Sequence, residues 1–429
     1  MGQSFSEPVS NNPYLGYVAV ALRSPNKVRL IHAPQDVVLK IEKIILEINK
    51  IFGESDAPVE REEKYGCVEY CISSGYCFQL SNNKSSATSG KLFVILMFEE
   101  MYKLGYDAVV SSDLSRMYDQ ATLFFTKNTS ERTTQRVACL APGKSDTLVI
   151  LRANSAFINI VRRAILESWP LGIQNEKEIH CCGEILTQIK LHGTPWVDYA
   201  GPENIQCRQM LINILGQLGA ESFKLLAGVN IKGGTDSLFF IQDPSYQAMP
   251  STLCMISLNK NDRLRLINCR DMVGPLRETI SRNYGEIQRE EEKYGSWEFK
   301  LADTPWWTSG FLAIQARQLI SRISETMLSY GWALTTAIDI SRSLNDKSVL
   351  LYTKSPNYNT SFACIALSDV HRLRLVDFSS SHTEQLREVL ERFYLPGVTQ
   401  QGQRDSTCYE IDLNGSPWTV RSCANLHAR

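Results

Sequence analysis

The first residues with an evident chemical role are those at the start of the sequence. They read MGQSFS, which fits the M-G-x-x-x-[ST] pattern for N-myristoylation. In that pattern removal of Met1 frees the amine of Gly2, which takes an acyl chain through an amide bond. We therefore expect Gly2 to be acylated. One acyl chain holds a protein on a bilayer only weakly and reversibly, so stable residence requires a second signal.

Pairs of basic residues in three strand-like segments could supply that signal. Each pair alternates with apolar residues, so on a strand the basic side chains share one face, predicted to point to solvent. The pairs are Lys27 and Arg29, Arg263 and Arg265, and Arg372 and Arg374. On a surface they would attract anionic headgroups, at about 1 kcal/mol per charge. The competing interpretation is a set of ordinary ion pairs, for which Glu298 and Glu410 are available.

A proline-tryptophan step recurs as well. Proline cannot donate to a strand ladder, so each step should end a strand. The aromatic ring could serve as a binding platform, but a tryptophan repeated beside a proline typically buries a large area where a strand gives way to a helix. We therefore interpret three tryptophans as structural anchors of a repeat: Trp196, Trp306 and Trp418.

Cysteine and histidine offer the remaining candidates for chemistry. His180, Cys181 and Cys182 are adjacent and could line a site in one unit or in a cleft between two, as an enzyme of unknown class would require. The cysteines here and within 67–77 lack C-x-x-C pairing, which disfavours zinc. The sequence contains no phosphate-binding loop, dinucleotide fingerprint, nucleophile elbow or kinase motif set. We predict no catalytic residues and no cofactor.

These positions recur because the chain repeats itself about every 110 residues. Hydrophobic periodicity predicts the order β-β-α-β-α-β-β for each copy, with the Pro-Trp step after the third strand. We therefore predict an α+β fold of tandem ββαβαββ units with mainly antiparallel sheets of about five strands. Residues 1–13 would be a flexible tail. Three complete copies would span 14–128, 134–243 and 250–355, and a truncated fourth, 360–421, would be a cap.

Composition narrows the functional classes. A net charge of −1 argues against a dedicated nucleic-acid binder. The longest apolar run, Leu92 to Phe98, has seven residues, too few to span a bilayer. Most of the twelve cysteines lie in apolar strand-like runs, where a reduced thiol behaves as a small hydrophobic side chain. This placement is typical of a protein in a reducing compartment. We predict a cytoplasmic, peripherally membrane-associated, non-enzymatic adaptor or scaffold with a membrane surface and a protein as partners. A headgroup-binding module and an enzyme are the alternatives.

Overall fold

The structure, a computed structural model, contains four β-sheets that follow one another along the chain. It describes residues 16–51, 60–64, 67–73, 77–78, 84–112, 114, 120–128, 135–197, 201–231, 234–341 and 348–418. The sheets have six, six, six and four strands, and the strand pairs within them are antiparallel. The predicted α+β fold of tandem antiparallel units, the last of them shorter, is confirmed.

Each complete unit consists of six strands and two helices. Unit 1 contains β1 (Tyr17–Arg23), β2 (Lys27–Ile31), α1 (Gln35–Ile51), β3 (Glu60–Lys64), β4 (Cys67–Cys71), α2 (Lys84–Lys103), β5 (Tyr106–Ser112) and β6 (Thr122–Lys127). Unit 2 contains β7 (Val137–Gly143), β8 (Thr147–Leu151), α3 (Ser155–Ser168), β9 (Ile173–Cys181), β10 (Glu184–Leu191), α4 (Pro202–Ala220), β11 (Phe223–Val229) and β12 (Ser237–Gln242).

The third unit repeats this order, and the fourth keeps its first half. Unit 3 contains β13 (Leu253–Asn259), β14 (Arg263–Ile267), α5 (Val273–Asn283), β15 (Ile287–Lys293), β16 (Ser296–Leu301), α6 (Gly310–Ser329), β17 (Trp332–Ile338) and β18 (Val349–Lys354). Unit 4 contains β19 (Cys364–Ser368), β20 (Arg372–Val376), α7 (Ser380–Phe393), β21 (Val398–Gln403) and β22 (Cys408–Leu413).

The sheet order is the same in every complete unit, β3-β4-β2-β1-β6-β5 in unit 1, and unit 4 has the matching half, β19-β20-β22-β21. Each unit has one strand more than the sequence predicts, the edge strand that pairs with the strand before the Pro-Trp step. These edge strands are β3, β9, β15 and β21. Glu60–Lys64 reads EREEK, and such a charged edge strand lacks the period-two apolar alternation that reveals a half-buried strand.

The inner face of each sheet packs against the helices of its own unit. In unit 3, Ile256, Leu264 and Leu266 of the sheet form one core with Leu276 of α5 and Leu319 of α6. All five side chains are fully or almost fully buried. Leucine alternates with arginine along β14, and both leucines lie on the inner face, as the period of two residues predicts.

The outer face of each later sheet packs against the preceding unit. The second helix of a unit lies on the next sheet: α2 contacts β7, α4 contacts β13 and β14, and α6 contacts β19 and β20. One core accordingly joins units 1 and 2, and another joins units 2 and 3. Main-chain hydrogen bonds also join neighbouring units at equivalent positions. Ala121 N donates to Asn230 O at 2.7 Å, and Asp236 N donates to Asp339 O at 2.7 Å. One stacking arrangement thus recurs along the chain.

Helix α4 also approaches the linker to unit 3 closely at Gly216. A Cβ there would lie 2.2 Å from Pro250 N and 2.6 Å from its Cα, so Gly216→Ala must displace the linker. We expect this substitution to destabilise the protein by about 1–3 kcal/mol, although alanine favours a helix interior over glycine by about 1 kcal/mol. Thermal unfolding of Gly216→Ala measures the effect.

The matched control is Gly274→Ala near the start of α5, where a new Cβ meets nothing within 4 Å. It should be neutral or stabilising by up to about 1 kcal/mol. Equal increases in the melting temperature of the two variants would show that the approach to Pro250 does not constrain α4.

Candidate functional site

The recurring basic pairs lie on the outer faces of the sheets, each beside a glutamate of the neighbouring strand. The second basic residue of each pair stands directly opposite that glutamate: Arg29 opposite Glu69, Arg265 opposite Glu298, and Arg374 opposite Glu410. We call each pair together with its glutamate a charge triplet. In unit 2 the corresponding positions are uncharged: Thr147, Val149 and Gln188.

The triplet of unit 3 is the most buried. Glu298 accepts from Arg265 Nε at 2.5 Å and from Arg263 Nη1 at 3.1 Å. The Arg265 and Glu298 residues are only 1% and 2% exposed. Burial by itself would raise the pKa of Glu298, but the charge and hydrogen bond of Arg265, together with Arg263, bring that pKa below its ordinary value. The carboxylate is therefore ionised at neutral pH and holds both guanidinium groups.

The solvent-facing orientation predicted for Arg265 is wrong, because α4 of unit 2 covers it. Arg265 Nη1 donates to Asn204 Oδ1 at 2.8 Å, and Asn259 Nδ2 donates to the same oxygen at 3.3 Å. Arg374 is likewise buried, at 6% exposed. A period-two pattern assigns side chains to two faces but does not show what covers each face.

The triplets of units 1 and 4 follow the same plan with more access to solvent. Glu69 accepts from Lys27 Nζ and from Arg29 Nη2, both at 2.7 Å, and the Lys27 side chain is 43% exposed. In unit 4, Glu410 accepts from Arg374 Nε at 2.8 Å. Arg372 Nε donates to Asp412 Oδ1 at 2.6 Å, and Arg372 Nη1 lies 3.7 Å from Glu410 Oε2. Each triplet therefore carries two positive charges and one negative charge, and in unit 4 Asp412 adds a second negative charge beside it.

The three repeated tryptophans occupy equivalent surroundings. The indole N–H of Trp196 donates to Thr147 O at 3.0 Å, that of Trp306 to Arg263 O at 2.9 Å, and that of Trp418 to Arg372 O at 3.2 Å. Each acceptor is the first residue of the second strand in its unit. Each backbone N–H donates to the turn just before that strand, for Trp196 to Ser145 O at 3.3 Å. Each ring thus ties the end of one strand to the hairpin beside it.

Phe78 takes this place in unit 1. Its backbone N–H donates to Pro25 O at 2.8 Å, which is the turn position equivalent to Ser145, and the residue is fully buried. A phenyl ring fills the space but lacks the indole N–H. The sequence shows the missing Pro-Trp step, and the structure shows that the packing position itself is retained.

Of the cysteine and histidine candidates, the two adjacent cysteines lie side by side. Cys181 Sγ and Cys182 Sγ lie 3.4 Å apart at the end of β9. Burial, together with the neighbouring Cys181 thiol, raises the pKa of Cys182 to about 12, which disfavours the nucleophilic thiolate. Within the part of the chain that the structure describes, no group of three or more His, Cys, Asp or Glu side chains could hold a metal ion.

Sequence reasoning missed a second set of cations, one on each second helix. Lys91 Nζ, Arg208 Nη1 and Arg317 Nη1 each donate to the carbonyl four residues earlier, at 3.2, 2.7 and 2.7 Å. Burial lowers the pKa of Lys91 and of Arg317. The signal that could have found Arg208 and Arg317 is their spacing, twelve and eleven residues after the Pro-Trp tryptophan.

A void of about 440 Å³ borders the outer face of the unit 1 sheet. Ala19, Ala21, Ile31 and Phe124 line one side together with Arg23 and Arg29. The other side is formed by unit 4, through Tyr394, Pro417 and Trp418. Units 1 and 4 therefore meet across this space.

The predicted acylation site lies outside the described residues, as does the whole of 1–15. Among the helices that the structure describes, none is both long and apolar enough to cross a membrane.

The comparisons with known proteins agree with the repeated architecture. One family model, for a domain of unknown function, matches the chain four times, over residues 16–126, 136–241, 252–353 and 361–429. No curated protein and no solved structure matches the chain significantly. Because the four matches cover most of the sequence, the chain belongs to this family of repeated domains.

Proposed function

We propose that this protein is a non-enzymatic cytoplasmic scaffold of four tandem units, held lightly at a membrane by an acyl chain on Gly2 and more firmly by a membrane-bound protein partner. The observation that carries the proposal is the use of the recurring residues. The charge triplets join strands within a sheet, and the Pro-Trp tryptophans join strand ends to hairpins.

This use of recurring residues favours a scaffold over an enzyme. A site repeated in every unit would bring the recurring polar groups to an open cavity, where they could touch a substrate. Here Arg265 and Glu298 are buried under α4, and Trp196 is 1% exposed. The recurring side chains stabilise the stack, and the serial units extend the surface available to partners.

The triplets are not the second membrane signal in this proposal. In unit 3 the two guanidinium groups share Glu298, and Arg265 is inaccessible to a headgroup. In unit 1 Glu69 neutralises one of the two charges of Lys27 and Arg29. The remaining attraction would be about 1 kcal/mol per net charge close to an anionic surface. The partner is therefore a protein in this proposal.

The test of the tether begins with the full chain produced together with an N-myristoyltransferase. Intact mass should show loss of Met1 and gain of a C14 acyl group. The acylated protein should float with phosphatidylcholine vesicles with an association constant of about 10⁴ M⁻¹, and Gly2→Ala should remain in solution. Lys27→Gln, at the most exposed triplet residue, is the matched control and should float like the wild type.

Two results would contradict this proposal. An unacylated terminus in the intact mass would remove the tether. Strong binding of Gly2→Ala to vesicles containing phosphatidylserine, lost again on adding Lys27→Gln, would favour the headgroup-binding alternative.

A further inference from the structure

Strand β19 of unit 4 has an open edge at a position that is paired in the complete units. Its equivalents β1, β7 and β13 each lie between two strands, one of which is the last strand of the unit, β6, β12 or β18. Among the strands that the structure describes, β19 pairs with β20 alone. It reads CIALS, without the charges or proline that commonly block pairing at an edge. Its outer edge therefore offers main-chain N–H and C=O groups to an added strand.

The exposure of Ile365 in this strand shows that the edge is also apolar. Ile365 corresponds in register to Val20, Leu140 and Ile256, which belong to the cores of units 1 to 3. Those three side chains are fully buried, whereas Ile365 is 52% exposed. In unit 3 the residue opposite Ile256 is Leu350 of β18. An isoleucine thus meets water where the last strand of a complete unit would cover it.

Helix α7 is open on the side that a second helix covers in unit 3. There Thr279 of α5 is 9% exposed, because its hydroxyl oxygen lies 2.7 Å from that of Thr326 on α6. Val389 holds the same place in α7, five residues before the tyrosine that caps each helix. It is 40% exposed. Unit 4 therefore presents both an apolar strand edge and an apolar helix side.

The space at this edge suits a single donated segment. The last hairpins of successive units stack, since β5 contacts β11 and β11 contacts β17. By the same stacking, β17 of unit 3 flanks the position that a strand on β19 would take. A second copy that approached with its own β19 would bring its own unit 3 to that side, where β17 already lies. A short extended segment is small enough to lie beside β17.

We propose that β19 binds an extended segment of a partner protein, which adds to the edge as a further antiparallel strand. The last strands of the complete units show which sequence fits. They read TLFFTK, SLFFIQ and VLLYTK, each with a leucine followed by two more large apolar or aromatic residues. The partner segment is of this kind, and its alternate side chains cover Ile365. This surface serves the protein partner of the proposed function, and the inference rests on that function for the partner being a protein.

A synthetic peptide of residues 348–355, SVLLYTKS, tests the proposal on the full-length unacylated protein. At ten times its Kd the peptide should slow amide exchange in β19 by about tenfold. The same peptide with Leu350→Asp and Tyr352→Asp should not bind, because these two side chains belong to the unit 3 core and would face Ile365 and its neighbours.

Ile365→Asp in the protein should abolish binding of the peptide. Because Ile365 is already half in water, this variant should melt close to the wild type. Ile185→Asp is the matched control, since Ile185 of β10 is an isoleucine on a strand with 53% exposure. It should bind the peptide like the wild type.

Three results would overturn the proposal. The first is a wild type that neither binds the peptide nor gains protection in β19. The second is a dimer in light scattering that Ile365→Asp converts to a monomer, because a second copy would then occupy the edge. The third is faster exchange in β19 after removal of residues 419–429, because the occupant would then be the chain itself. Failure of acylation is a separate result, since all these measurements use unacylated protein.

Discussion

Glu298→Ala is expected to lower the free energy of unfolding by about 3–5 kcal/mol. The substitution leaves Arg265, 1% exposed, beneath α4 without its carboxylate, and Arg263 loses its bond to Glu298 as well. An uncompensated buried charge is the main cost, since the lost methylene packing is small. Urea and thermal unfolding measure the effect.

An exposed ion pair provides the matched control. Glu278 and Arg282 pair on the surface of α5, with their side chains 69% and 71% exposed. Glu278→Ala should change stability by no more than about 0.5 kcal/mol, as is usual for exposed helix pairs. If Glu278→Ala and Glu298→Ala lowered the free energy of unfolding by similar amounts, burial would not determine how much the unit 3 triplet contributes to stability.

Replacing the whole unit 3 triplet with uncharged residues should lower the free energy of unfolding much less than removing Glu298 alone. Unit 2 has uncharged residues at the same three positions. On the helix that precedes its sheet, Ala87 of α2 corresponds to Asn204 of α4. A variant with the uncharged residues of unit 2 leaves no buried charge without a partner. It should therefore recover most of the stability that Glu298→Ala loses. The variant combines Asn204→Ala, Arg263→Thr, Arg265→Val and Glu298→Gln.

The contribution of Glu298 should also depend on pH in a defined direction. Its folded-state pKa lies below the ordinary value of 4.5. A carboxyl group whose pKa is lower in the folded state stabilises the protein fully at pH values above its unfolded-state pKa. This stabilisation is lost as the pH falls through the folded-state pKa. The stability gap between the wild type and Glu298→Ala should therefore be constant near neutrality and narrow below pH 4.5.

Trp196→Ala is the second substitution with a large expected effect, a loss of about 3–5 kcal/mol. The ring is buried in the core that joins units 2 and 3, and its N–H bonds to Thr147 O. Trp196→Phe reproduces the residue present at Phe78 in unit 1 and should cost about 1–3 kcal/mol, mostly for the unpaired carbonyl. Thermal unfolding of both variants measures the difference.

Trp307, which is 64% exposed, is the control for removal of an indole ring. Trp307→Ala should cost less than about 1 kcal/mol, because its surface is already largely in water. A small effect of Trp196→Ala would contradict the role of the Pro-Trp tryptophan as a packing anchor. It would favour the alternative of a binding platform.

The repeat and its α+β character could be predicted because local patterns carry them. Alternation in Arg263–Ile267 places Leu264 and Leu266 on the inner face, and the Pro-Trp step ends the strand before the second helix. The edge strands could not be predicted in this way. Both faces of Glu60–Lys64 carry charged side chains, so no apolar period distinguishes this strand from a loop.

By itself the sequence determined the repeated unit, the inner faces and the equivalent positions of the tryptophans and charge triplets, because each follows from local periodicity. Only the tertiary structure decided what lies on the outer faces. Arg29 and Arg265 occupy the same place in their strands, yet Arg265 is buried against Asn204, which stands 61 residues earlier in the chain. Burial of a side chain depends on such distant neighbours, and a pattern within one strand does not contain them.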